Sequence, residues 1–119
     1  MRLNIASPSE LVKSIGFALA LATVARTPIA VNGKLMIPVN TAEANAHNAF
    51  VYEAEVNDAT ATTEAWAVND PIYYTAANGG ALTKTAAGGT FFGYALQPKA
   101  SGVLVSPLVA FNTYFTPPA

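Results

Sequence analysis

A chain of 119 residues fits one domain with room for a modest core. Apolar residues make up 52% of it and charged residues only 11%, well under the roughly 25% of an average soluble domain, so much of the surface is expected to be covered by a partner or by copies of itself. Six basic and seven acidic residues give a net charge of −1 without any run or patch. That balance argues against nucleic acid or an anionic membrane as partner, and the lack of cysteine excludes a disulfide framework, a thiol nucleophile and Cys-based metal sites.

In chain order, the first signal is Ser7-Pro8-Ser9-Glu10, which reads as a helix start with Ser7 as N-cap, Pro8 at the first helical position and Glu10 completing a capping box. Leu11, Val12 and Ile15 then share a face, and Gly16 takes the left-handed position that ends the helix. This predicts a short helix over about 8–15. The stretch "IGFALALATVA" after Arg2 and Lys13 also imitates a secretory signal, but its eleven residues are too few to span a bilayer and the preceding segment carries an acid and a proline.

Beyond Gly16 the period changes to two. In "FALALATV" Phe17, Leu19 and Leu21 alternate with alanines, which predicts a strand with one deeply packed face. Further strands are predicted at "PIAV" (28–31), "KLMIPV" (34–39), "AFVYEAEV" (49–56), "PIYYT" (71–75), "ALTKT" (81–85), "TFFGYAL" (90–96) and "GVLVSPLVAF" (102–111). Turn signals separate them at Asn32-Gly33, Asn57-Asp58, Asn69-Asp70, Asn78-Gly79-Gly80 and Gly88-Gly89. Short strands so punctuated predict an all-β barrel or sandwich. Pro38 and Pro107 place their strands at an edge or a bend. In the 49–56 strand, Phe50, Tyr52, Ala54 and Val56 are expected on one face, with Val51, Glu53 and Glu55 on the other. The closing "NTYFTPPA" has aromatic anchors and two prolines, Pro117 and Pro118, and reads as an extended arm. The resulting division is an N-terminal arm and helix over 1–16, a β domain over 17–111 and a C-terminal arm over 112–119.

Chemistry is scarce. His47 stands alone in a polar, alanine-rich stretch and reads as an exposed loop residue. Glu53 and Glu55 lie about 6.5–7 Å apart along a strand with no evident partner, which suits a solvated face better than acid and base catalysis. Asp58, Glu64 and Asp70 lack the alternating-oxygen loop of a calcium site. "NGGALTKT" and "AAGGTFFG" lack the Gly-Lys-Ser/Thr ending and the GxGxxG run of phosphate loops, so they read as hairpin turns. Adjacent strand residues face opposite ways, so of Trp66, Tyr73, Tyr74, Phe91, Phe92 and Tyr94 about half are expected in the core, not on a sugar-stacking platform. No catalytic residue, cofactor or metal is expected.

The order of residues from Glu53 to Val109 resembles a family of small tailed-phage proteins that decorate or cement the capsid. The resemblance rests on Trp66, the run Asn69-Asp70-Pro71-Ile72-Tyr73, the hairpin Leu82-Thr83-Lys84-Thr85 and the strand Gly93-Tyr94-Ala95-Leu96. Asn69 stands where the family usually has glycine, a replacement that left-handed turns tolerate. The similarity covers about 27–111 and implies a non-enzymatic protein on the outer capsid surface of the virion, a trimer whose partners are the major capsid protein and itself. Under this reading Leu3, Ile5, Tyr114, Phe115, Pro117 and Pro118 are the expected capsid or protomer contacts. Trp66, Asp70, Pro71, Tyr73 and Gly93 are assigned to the fold. A tail or fibre module and a secreted carbohydrate-binding β domain are the alternatives.

Overall fold

The computed structural model describes residues 3–7, 12–112 and 114. The described residues form nine strands: β1 (Asn4–Ile5), β2 (Lys13–Ala18), β3 (Ile29–Val31), β4 (Lys34–Pro38), β5 (His47–Asn57), β6 (Pro71–Thr75), β7 (Ala81–Thr83), β8 (Thr90–Ala95) and β9 (Val109–Asn112). Named pairings are all antiparallel, in the order β3-β4-β5-β9-β8-β6-β7, and β1 and β2 also pair with β5. The sheet curls into a half-barrel, so the all-β expectation holds. Its core includes Ile37, Val56, Ile72, Leu82, Phe92 and Phe111, all fully buried.

The turn chemistry acts as expected at the β3–β4 hairpin. Asn32 and Gly33 both have positive φ, 51° and 83°, the pair of left-handed residues that a two-residue hairpin turn requires. The register Val31↔Lys34 follows from it.

The eleven-residue β5 is the spine. Phe50 and Val51 pair with β2 on one side and with β4 on the other. Toward its end β5 pairs with β1 and β9. Opposite β2 the register jumps, with Lys13 facing Glu53 and Ser14 facing Val51, so that Tyr52 is an extra residue. A one-residue bulge exchanges the faces of everything beyond it. Val51 therefore joins Ala54 and Val56 in the core instead of sharing a face with Glu53 and Glu55, and Phe50 is buried outside that cluster, stacked on Phe17 at 4.3 Å.

The predicted helix over 8–15 is not borne out. Residues 13–15 belong to β2, and residues 8–11 lie outside the described residues. Capping signals secure one short helix whose nucleation is unfavourable, whereas β2 gains a paired edge with β5 along six residues, Lys13 to Ala18. Ser7, the expected N-cap, instead accepts a hydrogen bond from the Glu55 amide at 3.1 Å. Gly16, the expected helix terminator, lies inside β2, where a Cβ would stand 2.9 Å from the His47 ring. The strand predicted over 17–24 keeps only Phe17 and Ala18. Leu21 is 58% exposed, not deeply packed.

The segment read as an N-terminal arm contributes two strands, and Leu3 is 2% exposed in the core. Pro38 does not mark an edge: β4 lies between β3 and β5, and Pro38 is its last residue, past the final β3 pair Ile29↔Met36, where no ladder amide is needed. Pro107 precedes β9, and of the strand predicted over 102–111 only the end, from Val109, is strand.

Candidate interaction surfaces

Two charged side chains, the buried Lys99 and the half-buried Glu64, hold loops together. Lys99 is almost wholly buried, with its Nζ 5.0 Å from the centre of the Trp66 ring. It donates hydrogen bonds to the carbonyls of Thr62 at 2.9 Å, Ala100 at 3.3 Å and Val103 at 2.8 Å. Burial pushes this ammonium below its ordinary pKa, and the Glu64 charge opposes that change. Glu64 Oε1 accepts from the hydroxyls of Thr62 at 2.6 Å and Thr83 at 2.5 Å and from the Lys84 amide at 3.0 Å, while Oε2 accepts from Thr85 at 2.6 Å. Burial raises its pKa, but these bonds outweigh burial and hold the carboxyl at about 2.

The consequence is a tied-down loop with apolar side chains turned out. Val103, Leu104 and Val105 are exposed, Leu104 by 56%. Their backbone is fixed by Lys99, by the bond from the Ala61 amide to the Leu104 carbonyl at 2.9 Å and by the Thr60↔Val105 bridge. Three consecutive exposed apolar residues make this loop a candidate docking surface. Reading 102–111 as a continuous strand hid this loop; Gly102, with φ 83°, was the available signal for a turn before it. A second group of exposed apolar residues, Ile15, Leu21 and Val24, lies on and beyond β2.

Of the expected contact residues, Leu3 is buried in the core, and Ile5, in β1, is half-buried. Tyr114 is 61% exposed, sits edge-on to Tyr52 at 5.2 Å and lies under Lys34 Nζ at 5.9 Å. Phe115, Pro117 and Pro118 lie outside the described residues.

Asp70 accepts from the Ala67 amide at 2.8 Å and pairs with Lys84 at 3.3 Å, and its carboxyl lies below its ordinary pKa chiefly through that amide. Asn69 takes a left-handed conformation, φ 70°, and Pro71 opens β6. Trp66 is 4% exposed, and its Nε1 has no hydrogen-bond partner among the described residues. Trp66→Ala is expected to destabilise the protein by about 3–5 kcal/mol, as for other buried aromatics; an unchanged urea midpoint would contradict the burial. Gly93 faces the β9 backbone at Ala110.

Tyr73 stands edge-on to Phe91 at 5.8 Å, and Phe91 edge-on to Tyr94 at 5.4 Å. A bulge makes this possible: Ile72 pairs with Gly93 and Tyr73 with Phe91, so Phe92 goes to the core while Phe91 and Tyr94 remain half-buried beside Tyr73. Mutually perpendicular rings do not form the flat platform on which a sugar stacks. His47 is exposed. Glu53 pairs with Lys13 at 2.9 Å and accepts from Asn112 at 2.7 Å, and the contact with Glu53 raises the Lys13 pKa. Among the described residues no three His, Cys, Asp or Glu side chains gather to hold a metal, and no helix is long and apolar enough to cross a membrane.

The described residues thus form a curled antiparallel sheet whose tied-down loops turn apolar side chains outward. The sequence profile of the phage cement protein family matches residues 7–108, and the chain belongs to that family. Comparison with curated proteins and with solved structures finds no match. Membership implies a structural role in the phage capsid and association with it in the virion.

Proposed function

We propose that this protein decorates the outer surface of the phage head as a homo-trimer, binding the major capsid protein and stabilising the mature shell. The observation that carries the reading is the pinned loop of Val103, Leu104 and Val105, an apolar surface held rigid before any partner arrives, in a chain of the phage cement protein family. Rigidity matters because a loop ordered in advance loses less entropy on docking. A subunit that binds the mature lattice and not its dissociated parts stabilises the lattice by RT ln(1 + [L]/Kd), about 2.7 kcal/mol per site at a hundredfold excess over Kd. Three linked copies raise the effective concentration of each contact. Tyr114, Phe115, Pro117 and Pro118 then act as an anchoring tail that starts from the Tyr52 face of the sheet.

The test is the copy number relative to the major capsid protein in purified virions, by quantitative mass spectrometry. A ratio within a few-fold of one to one is expected. A handful of copies per particle would favour a tail or fibre module instead. Removing residues 115–119 is expected to lower occupancy on heads while the thermal transition of the isolated protein stays in place; equal loss of both would make the tail part of the core.

A further inference from the structure

A cavity of about 330 Å³ opens beside β1 and β2. Apolar side chains including Ile5, Val12 and Val39 line it, together with Ser7, Ser14 and Arg26. Among the described lining residues Arg26 is the sole ionisable one. No acidic residue among the described ones forms an ion pair with it: Glu53 is taken by Lys13 and Asp70 by Lys84, and Glu64 is enclosed by threonines.

The backbone of Arg26 is also unusual. Among the described residues other than glycine, five have positive φ: Arg26 at 63°, and Asn32, Asn45, Asp58 and Asn69. Four are Asn or Asp, which tolerate that region through short polar side chains. Arg26 has no such excuse, and it is clamped there from both sides. Its amide donates to the Pro38 carbonyl at 2.9 Å, and its carbonyl accepts from the Leu3 amide at 2.8 Å. Strain kept in place by its surroundings is found where a side chain has a task.

The chemistry of the lining selects the ligand. A guanidinium offers a fork of donors to a carboxylate. Ser7 Oγ accepts the Glu55 amide at 3.1 Å and so keeps its own proton to donate. The apolar walls match methylene groups, which an inorganic anion lacks. Next to the cavity, β2 pairs with β5 and has no second strand partner among the described residues, and Ile15 on it is 50% exposed. An incoming extended chain would find backbone groups to pair with there.

The geometry points to a receptor site for a carboxylate on a short aliphatic stem, the glutamate or aspartate side chain of a neighbouring protein subunit. Only the identity of that subunit as a shell component rests on the function proposed above; the carboxylate site stands apart from it.

The experiment is an NMR titration of the full chain, with methyl groups labelled, using sodium butyrate, inorganic phosphate and butan-1-ol as probes. Butyrate is expected to give saturable shifts at Ile5, Val12 and Val39 in the millimolar range, with both other probes weaker by at least about tenfold, and Arg26→Gln is expected to weaken butyrate by about tenfold or more. Equal response to butan-1-ol, tighter binding of phosphate, or an unaffected Arg26→Gln variant overturns the site. So does saturable binding that appears only in Glu10→Gln, because the chain's own acid would then be the occupant. On virions, Arg26→Gln is expected to lower head occupancy. Unchanged occupancy, with butyrate binding established, overturns the subunit as ligand and leaves the shell role in place.

Discussion

Gly93→Ala is expected to destabilise the protein by at least about 3 kcal/mol, the upper range for overpacking a core. The added Cβ would overlap the Ala110 carbonyl oxygen and stand 2.9 Å from its carbon and 3.3 Å from Phe111 Cα. These are backbone atoms of β9, which is hydrogen-bonded to β8 on one side and β5 on the other, so no flexible side chain can give way. Relief requires β9 to move, and that breaks the pairs Gly93↔Phe111 and Tyr94↔Ala110. Against a total stability of about 5–15 kcal/mol the loss is large, and the midpoint of thermal unfolding should fall by roughly 10 °C or more. Gly88→Ala is the control. Gly88 has φ 74°, and a Cβ added there would meet nothing within 4 Å, so only the conformational cost of about 1 kcal/mol applies. Equal effects of the two substitutions would show that close strand approach is not the reason for Gly93.

The second large effect is pH-dependent. Glu64 is held at about 2, below its ordinary 4.5, so its carboxylate stabilises the fold fully above about pH 4.5, and that contribution drains away as the pH falls toward 2. Partial solvent exposure screens the interaction, and a contribution of about 1–2 kcal/mol at neutral pH is expected. Glu64→Gln, which leaves one oxygen to accept and gains an amide that cannot, should lose that amount at pH 7, with the difference narrowing below about pH 4.5 to less than half at pH 3 and vanishing only below about pH 2. Urea unfolding at pH 7, 4 and 3 measures this. A difference that stays constant across the range would mean that the four bonds do not depend on charge.

The family resemblance was legible in the chain because its residues report local requirements. Asp70 caps the turn that Pro71 closes, Asn69 supplies a left-handed residue, and Gly93 leaves room for a neighbouring backbone. The candidate docking loop was not legible. "GVLVSPLVAF" has the composition of a strand, and whether Val103, Leu104 and Val105 face core or solvent depends on Lys99 reaching the carbonyls of Thr62 and Val103. The Arg26 cavity was equally hidden, since it draws residues from β1, β2 and β5, from the approach to β3 and from the end of β4.

By itself, the sequence determined the all-β class, the positions of β3, β4, β5, β6 and β8 and the turns between them, because side-chain alternation and Asn-Gly chemistry act over a few residues. Tertiary structure decided the rest. The N-terminal segment became strand because β5 offered it six paired residues, against which a capped but unpacked helix could not compete. Bulges at Tyr52 and at Phe92 then chose which side chains face inward, since a one-residue slip reverses a strand's faces and only the partner strand sets where it occurs.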